Sequence, residues 1–296
     1  MMGKEYLEKA IAVDPNFALA YAGLAECSDI MTSAGRLSPL EGWSKVKEEA
    51  SKALAIDESL SEPHVLLADF RFLVGCDFKG AEDEFLRAIE LNPGNATARQ
   101  YYAIFLSAMG RQQDAITQVR TALELDPLSL SINQSVGAIL RLARQYDLSI
   151  GQLEATVSLD RGFAWTYWSM GEAYTFKAQY EKALEAFEKA LSLAGEDMAL
   201  IQADTACAYA LWGKAEEARR ILSELLSLSK KRYVSPFSLA SIYAALEEKD
   251  EAFSWHEKAY EERANNFVFL KVDPRLDGLR SDARFESLLD RVGLSD

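Results

Sequence analysis

Between Ala164 and Leu193 the apolar residues fall at helical spacing in two runs, Ala164 to Ala178 and Tyr180 to Leu193, with strong helix formers between them. Small residues mark equivalent places along the rest of the chain. One series, Ala25, Ala68, Ala103, Gly137, Gly171, Ala206 and Ala240, has successive separations of 43, 35, 34, 34, 35 and 34. A second runs through Ala81, Ala115, Ser149, Ala183, Ala218 and Ala252 at 34, 34, 34, 35 and 34, and a third from Ala10 to Ala259 keeps the same period. Three series with one period predict a stack of two-helix units. Small residues in both helices let the axes approach, while Tyr174 or Phe187 fills the remaining gap. Asp14-Pro15, Asn92-Pro93 and Asp126-Pro127 end second helices, because proline cannot continue a helix but opens the next one.

The two ends depart from the pattern. Residues 2 to 13 read as a second helix without a first: Leu7 and Ala10 stand as far before Pro15 as Val119 and Ala122 stand before Pro127. Such a half-unit leaves an apolar face uncovered, so the native chain is expected to continue upstream. After Ala259 come Asn265-Asn266, an apolar stretch from Phe267 to Leu270, and turns at Asp273-Pro274 and Asp277-Gly278. A last helix is expected from Phe285, Leu288, Leu289 and Val292, with Ser281 or Asp282 as N-cap and Gly293 as stop, capping the open array.

Tyr167, Met170, Gly171, Tyr174, Ala183, Phe187 and Ala190 resemble, nearly position for position, the 34-residue signature of the tetratricopeptide repeat (TPR). The resemblance covers about residues 3 to 262. Departures are local: nine extra residues in the first unit around Met31 to Leu40, and Glu58, Arg161 and Gly195 in place of the proline. It implies an all-α, right-handed solenoid of about seven repeats over residues 17–262, with a half-repeat at 1–16 and a turn segment and capping helix at 263–296. The stretches Lys230 to Phe237 and Phe269 to Phe285 resemble the C-terminal TPR regions of bacterial multidomain signalling proteins, whose upstream domain is a nucleotide cyclase, a winged-helix regulator or a serine/threonine kinase. That implies a regulatory, partner-binding role.

Charge narrows the partners. With 32 Lys+Arg against 46 Asp+Glu the formal net charge is −14, which repels a phosphate backbone and argues against nucleic acid. Neither a signal-peptide core nor an apolar run of about 18 residues occurs, so a cytoplasmic protein without membrane contact is expected. Cys27, Cys76 and Cys207 are odd in number and far apart, which suits a reducing compartment.

No enzyme activity, cofactor or metal is expected. His256-Glu257-Lys258-Ala259-Tyr260 begins like a zinc-protease helix but has Tyr260 where the second ligand belongs. Gly75 and Gly80 have P-loop spacing without the phosphate-binding lysine, and the Ser-x-x-Lys pairs Ser44/Lys47 and Ser227/Lys230 stand without a supporting motif.

The function expected is therefore a scaffold that holds a protein or peptide in the groove lined by the first helices. In the fifth unit Trp165, Trp168, Glu172 and Thr175 form the groove stripe, joined by Gln100 and Ile104, by Gln134 and Arg141, and by Asp69. Glu26, Asp69 and Glu172 make the groove acidic, which favours a basic or apolar ligand. The Lys/Asn pattern with which some TPR domains clamp a terminal carboxylate is missing. The alternative expectation is self-association, a homodimer formed through the half-repeat, controlling an upstream enzyme or DNA-binding domain.

Overall fold

The computed structural model describes residues 2–33, 37–195 and 198–295. A lone helix, α1 (Met2–Val13), precedes seven antiparallel pairs: α2 (Ala18–Ser33) with α3 (Pro39–Ile56), α4 (Ser61–Phe70) with α5 (Phe78–Leu91), α6 (Ala96–Ala108) with α7 (Gln112–Leu125), and α8 (Leu130–Leu142) with α9 (Tyr146–Leu159). They continue with α10 (Ala164–Phe176) and α11 (Tyr180–Ala194), α12 (Ala199–Leu211) and α13 (Ala215–Leu228), and α14 (Pro236–Ala245) and α15 (Lys249–Glu261). Two short 3-10 turns, Asn265–Phe269 and Pro274–Leu279, lead to α16 (Ala283–Val292). Residues 34–36, in the middle of the expected insertion, lie outside the described residues.

The small-residue series does the packing work assigned to it. A Cβ on Gly171 would stand 2.4 Å from the ring of Phe187, and one on Gly137 would stand 2.6 Å from Leu153. Only a missing side chain lets these axes close so tightly. Between helices, Asn95 and Ser129 cap α6 and α8 by accepting from the amides of Ala98 and Ile132. At the other end of the first helices a left-handed residue recurs: Cys76, Gly110, Arg144, Ala178, Gly213 and Glu247, all at positive φ. After most of them the next amide bonds back to the preceding turn, as Arg111 N does to Leu106 O and Gln145 N to Leu140 O. Only two of the six are glycine, so the turn was mostly invisible in sequence.

The tail does more than cap. α16 packs on the last pair through Phe285, Leu288 and Val292 and is pinned by Arg284 to Asp250 and Arg291 to Glu257. Asp282 is its N-cap and Gly293 its left-handed stop. The segment before it crosses back over the first helices. Asn265 accepts a 2.9 Å hydrogen bond from Trp43 Nε1, 222 residues away. Phe269 meets the ring of Phe72 edge-on at 6.1 Å, and Val268 joins the core of the second to fourth pairs. Phe72 reaches this contact from a π-helical turn, Arg71–Gly75, that continues α4. Arg144 then grips Asp277 with two bonds of 2.7 and 2.8 Å. The array expected to be open is thus bridged from its first pair to its last by its own C-terminal segment.

Candidate partner-binding groove

Consecutive first helices are joined by a polar ladder. Gln100 donates to Ser135 at 2.8 Å, Gln134 to Ser169 at 2.7 Å, and Trp168 Nε1 to Asp204 at 2.7 Å. Each donor stands three residues before the small residue of its unit, and each acceptor two residues before the small residue of the next. The next rung would run from Ala203 to Ser238, and the Ser238 hydroxyl is buried without a partner. Of the expected groove residues, Gln100, Gln134 and Trp168 therefore hold repeat to repeat. The signal was legible in the same periodic table that revealed the small residues.

A second group is buried beneath the C-terminal segment. Arg141 Nη2 stands 3.2 Å from Glu172 Oε1, a charge contact without hydrogen-bond alignment, since neither Glu172 oxygen has a hydrogen-bond partner. Burial, opposed by Arg141 and reinforced by Asp204, pushes the Glu172 carboxyl up to about 7. Arg275 enters from the tail and donates to Asp204 at 2.8 Å and to Asp273 at 2.6 Å, with its guanidinium over the Phe237 ring. Burial alone would raise the Asp273 carboxyl, but the Arg275 charge and its hydrogen bonds hold it below its ordinary value. Thr175 is buried too, its hydroxyl turned back on Gly171 O, and Ile104 packs against the core that receives Val268. Arg275 lies outside the repeats, so their spacing could not mark it as the groove's own occupant.

Two stretches of the inner wall remain uncovered by the described residues. Trp165 meets Trp168 edge-on at 5.6 Å and lines a crevice of about 360 Å³ with Ile30, Met31, Phe163, Ala164 and Met198. It also borders a smaller cavity, about 140 Å³, reaching Leu200, Tyr233 and Ser238. The second stretch, about 370 Å³, lies across α2, α4 and α6 between Leu19, Glu26, Asp29, Glu62, Val65 and Tyr101. Tyr101 and Ser33 donate to Asp29 at 3.0 and 3.1 Å. Asp69, one turn beyond Val65 and Leu66 on the same stripe, is only 7% exposed and makes no hydrogen bond or ion pair with the described residues. Burial first, and Asp29 next, raise its carboxyl well above the usual range.

The helix that begins like a zinc-protease motif has its histidine inside the core. His256 is buried against Phe237 and Phe267, both ring nitrogens unpartnered, and burial depresses its imidazole to about 4. Glu257 is bonded to Arg291. Among the described residues no cluster of three or more His, Cys, Asp or Glu is placed to hold a metal, and no helix is long and apolar enough to cross a membrane.

The tetratricopeptide-repeat profile matches residues 84–117 and again 166–197. The chain is 28% identical over 121 residues to the transcriptional regulator HilA of Salmonella paratyphi A, covering 41% of this chain and 22% of HilA. It is 28% identical over 159 residues to the BBSome complex member BBS4 of Bos taurus, covering 52% and 30%. These matches span under a third of either relative's length. Among solved structures, the human IFIT1 dimer with PPP-AAAA superposes with a TM-score of 0.59 at 19% identity, over 87% of this chain and 67% of that one. With helix pairs, period and profile in agreement, the array is a tetratricopeptide-repeat domain, a fold that supports protein-interaction scaffolds.

Proposed function

We propose that this domain holds a protein or peptide partner on the uncovered stretches of its inner wall, as the interaction part of a larger cytoplasmic signalling protein. The observation that carries the reading is Trp165: a half-buried indole bordering two cavities, with no hydrogen bond to the described residues committing it to the array. Aromatic residues so placed are the usual anchors of binding energy. Trp168, bonded to Asp204, holds the wall behind it. The match to a transcriptional regulator, over about a fifth of that protein, supports a regulatory setting. A partner purified from the native cell should bind Trp165→Ala about 30-fold more weakly, a loss of about 2 kcal/mol. The melting temperature should move little. Equal affinity of Trp165→Ala and the parent protein for that partner would remove Trp165 from the site.

A second reading, pairing of two copies through the half-repeat, is favoured by one observation: α1 leaves Tyr6 and Val13 exposed while Leu7 packs at Gly23. Sedimentation at rising concentration separates it from a monomeric binder.

A further inference from the structure

The repeat symmetry sets Asp29 and Asp69 beside a second pair for comparison. Arg141 stands four residues after Gly137, and Glu172 one residue after Gly171; the two form the buried ion pair between the fourth and fifth units. Asp29 stands four residues after Ala25, and Asp69 one after Ala68, so they occupy the same two positions between the first and second units. Where one pair has a cation facing an anion, the other has two acids. Both acids are nearly buried, at 3% and 7% exposure.

Nothing in the described chain balances them. Asp29 is served by two neutral donors, Tyr101 and Ser33, and Asp69 by none. Asp29 lines the groove with two further acids, Glu26 and Glu62, and Asp69 lies beside it within electrostatic reach of Asp29. Burial favours the neutral form of both carboxyls, and a cation that reaches them restores the charged form with release of a proton. The molecule already shows this chemistry once. Farther along the same wall, Arg275 of the C-terminal segment fills the acidic position at Asp204 and Asp273, and stacks on Phe237. The first two units also carry a pair of acids, and among the described residues no arginine meets them.

We propose that the Asp29–Asp69 pair receives a lysine or arginine side chain from an extended segment of a partner protein, with Leu19, Val65 and Tyr101 flanking its stem. The idea rests on the scaffold reading above and names the partner's chemistry. An organic cation fits better than a metal, since two carboxyls with a phenol and a hydroxyl fall short of the oxygen set that a hard divalent ion requires.

The test is selection of a random nonapeptide library on the full chain, followed by affinity measurement at 150 mM salt. Selected peptides should carry a shared Arg or Lys, and replacing that Arg by citrulline, which keeps shape and removes charge, should weaken binding at least 10-fold. This comparison needs no change to the protein. Asp29→Asn with Asp69→Asn should abolish the Arg-over-citrulline preference, while Glu124→Gln with Asp126→Asn, an equal charge change on exposed residues elsewhere, should shift it less than twofold. Enrichment of neutral peptides, or equal losses from both double variants, overturns the cation assignment and leaves the scaffold standing. A library that yields no binder overturns both.

Discussion

At the residue scale, Glu172 is a side chain whose charge state the fold controls. Its carboxyl is raised from an ordinary 4.5 to about 7 by burial, only partly offset by Arg141. A folded-state value above the unfolded one means that folding favours the protonated acid. The stabilisation is complete below about pH 4.5 and is lost as pH rises through 7. One proton limits the slope to about 1.4 kcal/mol per pH unit. Glu172→Gln mimics the protonated acid, so urea unfolding of parent and variant should coincide near pH 4.5. By pH 8 the variant should be the more stable of the two. A constant difference across that range would show that Glu172 titrates at its ordinary value in the fold. His256 shifts in the opposite sense, its neutral ring being the form that packs, and contributes to acid sensitivity below its ordinary value of 6.5.

At the scale of elements, the segment between α15 and α16 is held by two kinds of arginine contact. Arg275 lies buried between Asp204 and Asp273, whereas Arg144 and Asp277, also doubly bonded, stand in water. Removing Arg275 strands two buried carboxylates and releases Trp168's acceptor from its second partner, so Arg275→Ala should cost about 3 to 5 kcal/mol. Arg144→Ala should cost less than about 1 kcal/mol, because the exposed pair is solvated and screened, and Arg280 still bonds Asp277. Urea denaturation of the two variants decides it. Equal losses would mean that Arg275 is no more committed to the fold than a surface arginine. The contrast also separates the two roles of the tail: α16 covers the last pair, while the strap before it ties distant repeats together.

For the whole molecule, closure by the strap changes what kind of solenoid this is. Repeat arrays communicate chiefly between neighbours, yet here Trp43 of the first pair is bonded to Asn265, and Phe72 of the second packs on Phe269. A chain ending after Glu262 would uncover Phe237 and Phe253 at the last pair and part of the core around Phe72 and Phe105. Its expected behaviour is binding of a hydrophobic dye, a larger scattering radius and a broader melt, because the units no longer unfold together. A truncated protein that melts as sharply as the full chain, at the same radius, would show that the strap rests on the array without binding it together.

The period, the helix pairs, the half-unit α1 and the cap of α16 were legible in sequence, because each follows from local spacing: small residues where axes cross, prolines and cap residues where helices start. Gly171 against Phe187 is the case in point, a contact written as a 16-residue interval. The groove was legible only as a stripe. That Glu172 and Arg141 meet, that Trp168 is tied to Asp204, and that Arg275 fills one acidic position while no described residue offers a cation to Asp29 and Asp69, depended on the curvature of the stack and the path of the tail. Local spacing determines which faces of a helix are apolar; only the superhelix and the path of the tail determine which groove positions its own chain reaches.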